Sequence, residues 1–236
     1  EELIQSLPGE GVCACLSVAC DIPTTRLTIE IAERYPFVYA TAGIHPHDAG
    51  KAGAEDLAVL PSLLEHEKVV ALGEIGLDYH YDFSPRDVQR EVFLAQLDLA
   101  YEMKKPVIFH VRESHGDMLT LLENRKGRLP GGVMHSFSGS AESAKQYLNM
   151  GFYISFSGSV TFKNAEKVRR AAQAVPLERL LIETDSPYLT PAPFRGKRNN
   201  PALVRHVCAQ LAELFEMPWE EMARVTRDNA RALFGL

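Results

Sequence analysis

The chain has 236 residues, 46% of them hydrophobic and 24% charged, with a formal net charge of −6 at pH 7. That length suits one large α/β domain or two small ones, with enough apolar residues to bury a core. The acidic balance weighs against a protein that coats nucleic acid through a broad basic face, but not against an enzyme that holds one strand end at a local basic loop.

In chain order, short apolar runs alternate with longer amphipathic stretches. Strands are predicted over 12–20, 37–45, 68–78, 106–112, 131–137, 151–158 and 180–186. Helical periodicity falls near 24–35, 55–66, 85–104, 114–125, 140–149 and 163–174, then near 200–216 and 218–234. Ser84 reads as an N-cap with Pro85 at the first helical position, and Lys104, Lys105 and Pro106 close that helix. Pro218 and two early glutamates open the last helix in the same way. No apolar run reaches the roughly 18 residues of a membrane span and no basic-then-apolar leader is visible, so we expect a cytoplasmic protein without a membrane partner. Cys13, Cys15, Cys20 and Cys208 form no zinc-type pairs and read as reduced structural thiols.

Repeated strand and helix units with continuously apolar strands indicate a parallel sheet covered on both faces. Seven such units at this length predict a (β/α) TIM-type barrel, and no Gly-rich phosphate loop follows any strand to favour an open doubly wound sheet. No Ser- or Gly-rich linker divides the chain, so residues 1–236 are expected to form a single domain.

The strand ends share a chemistry. Predicted strands finish on Glu74, His110, His135 and Asp185, and His45 and His47 stand just past another end. In a parallel barrel those C-terminal ends open on one face, where the connecting loops build the active site. His110 and Arg112, two apart, point to the same side, as do Glu74 and Asp78, and Glu183 and Asp185. Taken singly, each has a plainer reading: a hydrogen-bonded core histidine, an aspartate opening a turn before Ser186 and Pro187, a solvated Arg112–Glu113 pair. Repetition favours a metal site, because several ionisable groups at one barrel mouth are costly without a cation or substrate to balance them. Mixed imidazole and carboxylate ligands fit magnesium, manganese, zinc or nickel, as one ion or as two bridged by carboxylates. The chemistry implied is hydrolysis.

The stretches "AGIHPHDA", "GEIGLDYHYDFSPRDVQREVFLAQLDLA", "FHVRES", "MHSFSG", "ETDSPYLTPAPFRGKRNNP" and "VTRDNARALF" together resemble the TatD-type metal-dependent deoxyribonucleases, in order and over nearly the whole chain. The resemblance implies a metal-dependent hydrolase barrel with a one- or two-metal centre that removes nucleotides from the ends of single-stranded DNA. It implies that Glu74 bridges the metals, that His110 and His135 hold one ion, and that Asp185 binds the other and acts on the nucleophilic water. Arg112 and the loop residues Arg195, Lys197 and Arg198 would meet phosphates, and His45 and His47 would contact substrate. Read from the residues alone, that basic loop is equally an exposed turn, and His45 and His47 equally a loop held by Pro46 and hydrogen bonds.

Family members begin with a strand ending in Asp-x-His-x-His, whereas this chain starts at "EELIQSLPGEG", in what reads as the helix after it. The first strand is therefore expected upstream in the natural protein. Two other readings stand beside the nuclease: an amidohydrolase-like enzyme cleaving a small amide, ester or aminoacyl-tRNA ester, and a barrel that binds without catalysis because that histidine pair is missing.

Overall fold

The computed structural model describes residues 1–236. The chain divides into two compact units: one comprises residues 14–134 and 233–235, the other residues 1–13, 135–232 and 236.

The first unit holds five parallel strands that pair in chain order. They are β1 (Cys15–Ser17), β2 (Val38–Ala42), β3 (Val69–Asp78), β4 (Val107–Arg112) and β5 (Gly132–Met134). Helices follow each of the first four, as expected of crossover connections between parallel neighbours. The five-residue helix α1 (Glu2–Ser6) belongs to the other unit; here α2 (Ile22–Arg34), α3 (Ala54–Leu64), α4 (Arg86–Glu102) and α5 (His115–Glu123) cover the sheet. The core is aliphatic and aromatic, with Leu60, Leu64, Leu72, Ile75, Leu97 and Phe109 fully enclosed. β3 carries ten residues, nearly all buried, and its register sets Gly76 beside His110 and Asp78 beside Arg112. Gly76 permits that pairing: its φ is +151° and a Cβ would lie 2.0 Å from the His110 carbonyl oxygen.

The second unit contains α1, the paired parallel strands β6 (Tyr153–Phe156) and β7 (Leu180–Ile182), and helices α6 (Ala141–Asn149), α7 (Glu166–Gln173) and α8 (Val204–Leu214). Helix α9 (Trp219–Phe234) falls in it as far as residue 232. Ser140 caps α6, its hydroxyl accepting the Ser143 N–H at 3.2 Å while the Ser143 hydroxyl accepts the Ser140 N–H at 2.9 Å.

All seven strands fall within their predicted ranges, but β1, β5 and β7 keep only three residues each. One boundary differs in kind: α4 begins at Arg86 with Pro85 as its cap residue, so Ser84 is not the N-cap. The Ser84 hydroxyl instead donates to the His47 carbonyl (2.9 Å) and accepts the Gly50 N–H (2.8 Å), bonds that tie two loops together. No helix is long and apolar enough to cross a membrane.

Candidate metal centre

In the first unit four predicted residues converge: Glu74 from within β3, His110 from within β4, and His45 and His47 from the loop after β2. Glu74 Oε1 lies 2.5 Å from His110 Nδ1 and 3.3 Å from His45 Nε2. The other nitrogen of His110, Nε2, lies 2.9 Å from Asp78 Oδ2, and His47 Nε2 reaches the same oxygen at 2.8 Å. His110 therefore stands between two carboxylates, with side chains only 14%, 13% and 0% exposed for His110, Glu74 and Asp78. Asp78 was not among the residues assigned a role from sequence; its shared parity with Glu74 on β3 was the signal. Burial works against its charge, but hydrogen bonds from His110, the Tyr81 backbone and His47 outweigh it and hold the carboxyl well below the usual range.

Two donor groups result, His45–Glu74–His110 and His47–Asp78–His110, with ligand atoms within 4.8 Å of one another in each. Two carboxylates around one shared imidazole, in a largely buried place, call for a cation, and the mixed nitrogen and oxygen set suits a divalent one. The residues thus fit a metal. His45 has a different part from Glu74 and His110. Its Nδ1 accepts the His47 N–H (3.2 Å), which puts the proton of the neutral ring on Nε2 and makes it a donor. Burial, with the Glu74 carboxylate opposing it, lowers the pKa of His45 and favours that neutral ring.

Two glutamines of α4, seven positions apart, fix the loops that carry these groups. Gln89 Oε1 accepts the Asp78 N–H (2.8 Å), while its amide donates to the carbonyls of Asp78 (3.1 Å) and Ser84 (2.8 Å). Gln96 grips Ile44 likewise, accepting its N–H at 2.7 Å and donating to its carbonyl at 3.1 Å. Both are 1% exposed. Sequence reading missed them because a glutamine in an amphipathic helix reads as a solvated residue.

Arg112, on β4 opposite Asp78, lays its guanidinium 4.7 Å from the centroid of the Tyr81 ring. It is half-buried and is not simply the solvated partner of Glu113, whose carboxylate faces His80 Nδ1 at 2.7 Å.

The remaining candidates lie in the second unit. His135 Nδ1 faces Glu183 Oε2 at 3.0 Å, and Glu183 Oε1 accepts the Ser136 N–H. A carboxylate on one ring nitrogen is the outer contact that orients a metal-ligating histidine. Burial opposes the charge of Glu183, but His135 and the Ser136 and Ser155 hydrogen bonds hold its pKa below the ordinary value. Asp185 stands two residues on at φ +57°, a left-handed conformation that aspartate tolerates better than most residues, and its carbonyl accepts the Tyr188 N–H at 2.8 Å. Buried Asn199 holds this loop by donating to the carbonyls of Thr184 (2.8 Å) and Tyr188 (2.6 Å). Arg195, Lys197 and Arg198 are exposed, and the Arg195 guanidinium sits 3.6 Å from the Phe162 ring centroid.

Parallel strands whose ends carry imidazoles and carboxylates define a metal-dependent hydrolase of the α/β barrel class. A family model described as "TatD related DNase" matches residues 1–235, and the chain belongs to that family. It is 50% identical over 234 residues to the uncharacterized metal-dependent hydrolase YabD of Bacillus subtilis, covering 99% of this chain and 92% of that protein. It is 34% identical over 241 residues to the 3'-5' ssDNA/RNA exonuclease TatD of Citrobacter koseri, covering 100% and 93%. The crystal structure of YJJV, a TatD homolog from Escherichia coli K12, superposes with a TM-score of 0.93 at 33% identity, covering 100% of this chain and 91% of that one.

Proposed function

We propose that this metal-dependent hydrolase is an exonuclease that releases nucleotides from the ends of single-stranded DNA with one or two divalent cations, residues 1–236 acting as one hydrolase domain. The observation that carries the reading is the carboxylate–imidazole–carboxylate arrangement Glu74–His110–Asp78, with Arg112 paired to Asp78 in the sheet. The C. koseri relative, named as a 3'-5' ssDNA/RNA exonuclease, supports the choice of substrate.

A divalent cation supplies Lewis acidity toward water and the scissile bond. Glu74 and His110 are the ligands proposed in the first unit, and His135 and Asp185 those in the second. Asp185 is assigned the proton of the attacking water. His45 and the guanidinium of Arg112 are assigned contacts with phosphate oxygens, charge-assisted in the case of arginine. Arg195, Lys197 and Arg198, exposed on one loop, add attraction for the strand.

The test combines elemental analysis with hydrolysis of single-stranded DNA, bis-nitrophenyl phosphate and simple esters in Mg²⁺ or Mn²⁺. Bound metal with turnover of the phosphodiesters, lost in His135→Ala and Asp185→Ala while the fold is retained, is the expected result. Turnover of esters alone would move the protein to small-molecule hydrolysis, and normal turnover in either variant would remove that residue from the site.

A further inference from the structure

We propose that Phe83, backed by Tyr81 and Arg112, is a stacking platform for a nucleobase of the single strand, an inference that rests on the nuclease reading and assigns the base-binding part of its site. The two rings lie on the connection between β3 and α4, with centroids 5.1 Å apart and planes inclined by only 16°. Tyr81 is 48% and Phe83 67% exposed. The Arg112 guanidinium against Tyr81 adds a third planar, positively charged group to the stack.

Solvent-facing aromatics on a loose loop would carry little meaning, but this loop is pinned from below. Asp78 Oδ1 accepts the N–H groups of His80 (3.0 Å) and Tyr81 (2.9 Å). Ser84 is tied to His47 and Gly50, and Gln89 holds the Ser84 carbonyl. The rings are thus presented with their backbone already ordered, so a ligand does not bear that entropy on binding.

Their position also suits a nucleotide. The His47 ring meets both edge-on, with centroids 5.4 Å from Tyr81 and 4.9 Å from Phe83, while its Nε2 contacts Asp78. A base laid on the platform would therefore have its phosphodiester beside the donor cluster. Aromatic faces accept any base, so such a platform favours unpaired strands without selecting a sequence.

Binding of a fluorescein-labelled oligothymidylate with uncleavable phosphorothioate linkages, followed by anisotropy, tests this. Phe83→Ala and Phe83→Leu should each weaken binding by roughly five- to 150-fold, the range of one base–aromatic stack, and Phe83→Trp should bind as the wild type does. A strand of the same charge but with abasic terminal positions should bind more weakly and be indifferent to the substitutions, since the two changes remove the same contact. Wild-type affinity in Phe83→Leu, equal sensitivity on the abasic strand, or no binding of the base-bearing strand would each overturn the platform. Hydrolysis of an ordinary phosphodiester strand is scored separately. Base-dependent binding without cleavage in any divalent cation would sink the nuclease and keep the platform, and cleavage with binding that ignores Phe83 would do the reverse.

Discussion

The two units solve the same problem with different surroundings. Each presents a histidine whose Nδ1 faces a glutamate: His110 with Glu74 in the first, His135 with Glu183 in the second. Around His110 the neighbours are further titratable groups, His45, His47 and the fully enclosed Asp78. Beside His135 the structure shows the Ser136 N–H on Glu183 and a Ser136–Ser157 hydroxyl contact of 2.8 Å. The first arrangement gathers two carboxylates and three imidazoles in one largely buried place, so it should lose most when a cation is withheld. Stripping the metal with chelator should therefore abolish hydrolysis, and restoring Mn²⁺ or Mg²⁺ should recover it. His110→Ala should cost more than the roughly 10- to 100-fold in metal affinity typical of outer-contact changes, whereas Glu183→Gln, which spares the imidazole, should stay within that range. Equal losses in a metal titration of the two variants would erase the distinction.

Backbone packing offers the next test. In the first unit a Cβ on Gly76 would lie 2.0 Å from the His110 carbonyl oxygen, and in the second a Cβ on Gly158 would lie 1.8 Å from the Leu189 carbonyl oxygen. Both contacts are with backbone, which cannot swing aside. Gly76→Ala also meets a φ of +151°, so it should be the worse of the two, costing about 3 kcal/mol or more in urea unfolding. Gly9→Ala, with nothing within 4 Å, should stay within about 0.5 kcal/mol of wild type. A Gly76→Ala protein as stable as the Gly9 variant would show that β3 and β4 can separate there without penalty.

Buried amides then compare at a finer scale. Gln89 makes three bonds to the backbone of the Asp78–Ser84 loop, and Asn199 makes two to the backbone of the Thr184–Tyr188 loop. Gln89→Leu leaves an N–H and two carbonyls without that partner, so a loss of about 2 kcal/mol is expected, with Asn199→Leu somewhat smaller. Denaturation midpoints in the reverse order would mean that water takes over the groups Gln89 releases.

The legibility of the molecule divides along these same lines. Apolar runs and their punctuation located all seven strands, because burial on both faces demands continuous hydrophobicity. Glu74, His110 and His135 were legible as polar interruptions at the ends of such runs, and His45 and His47 as polar residues just beyond one. Asp78 and Glu183 were visible only through their parity with a neighbouring candidate. Gln89 and Gln96 left no trace, since their partners are backbone groups 11 and 52 residues away in the chain. The misplacement of Ser84 has the same origin: a capping residue and a residue that ties loops look alike until the loops are known.

The smallest expected effect uses the thiols, since each unit carries one exposed and one protected cysteine. Cys20 and Cys15 belong to the first, Cys13 and Cys208 to the second, and Cys13 and Cys20 are the exposed pair. Burial pushes the thiols of Cys15 and Cys208 up to about 11. A free thiol ionises near 8.5, so whatever stability this preference for the neutral form contributes is complete below about that pH and is lost as the pH rises through 11. Only the thiolate is alkylated, and it must also be reached. At pH 8, iodoacetamide followed by peptide mapping should therefore modify Cys13 and Cys20 well before Cys15 and Cys208, and the gap should close toward pH 11. Cys208, only 1% exposed, should lag behind half-buried Cys15 even when both are ionised. Should Cys208 react as fast as Cys15 at high pH, the helix α8 that carries it opens more readily than the strand that holds Cys15, and the second unit would be the looser of the two.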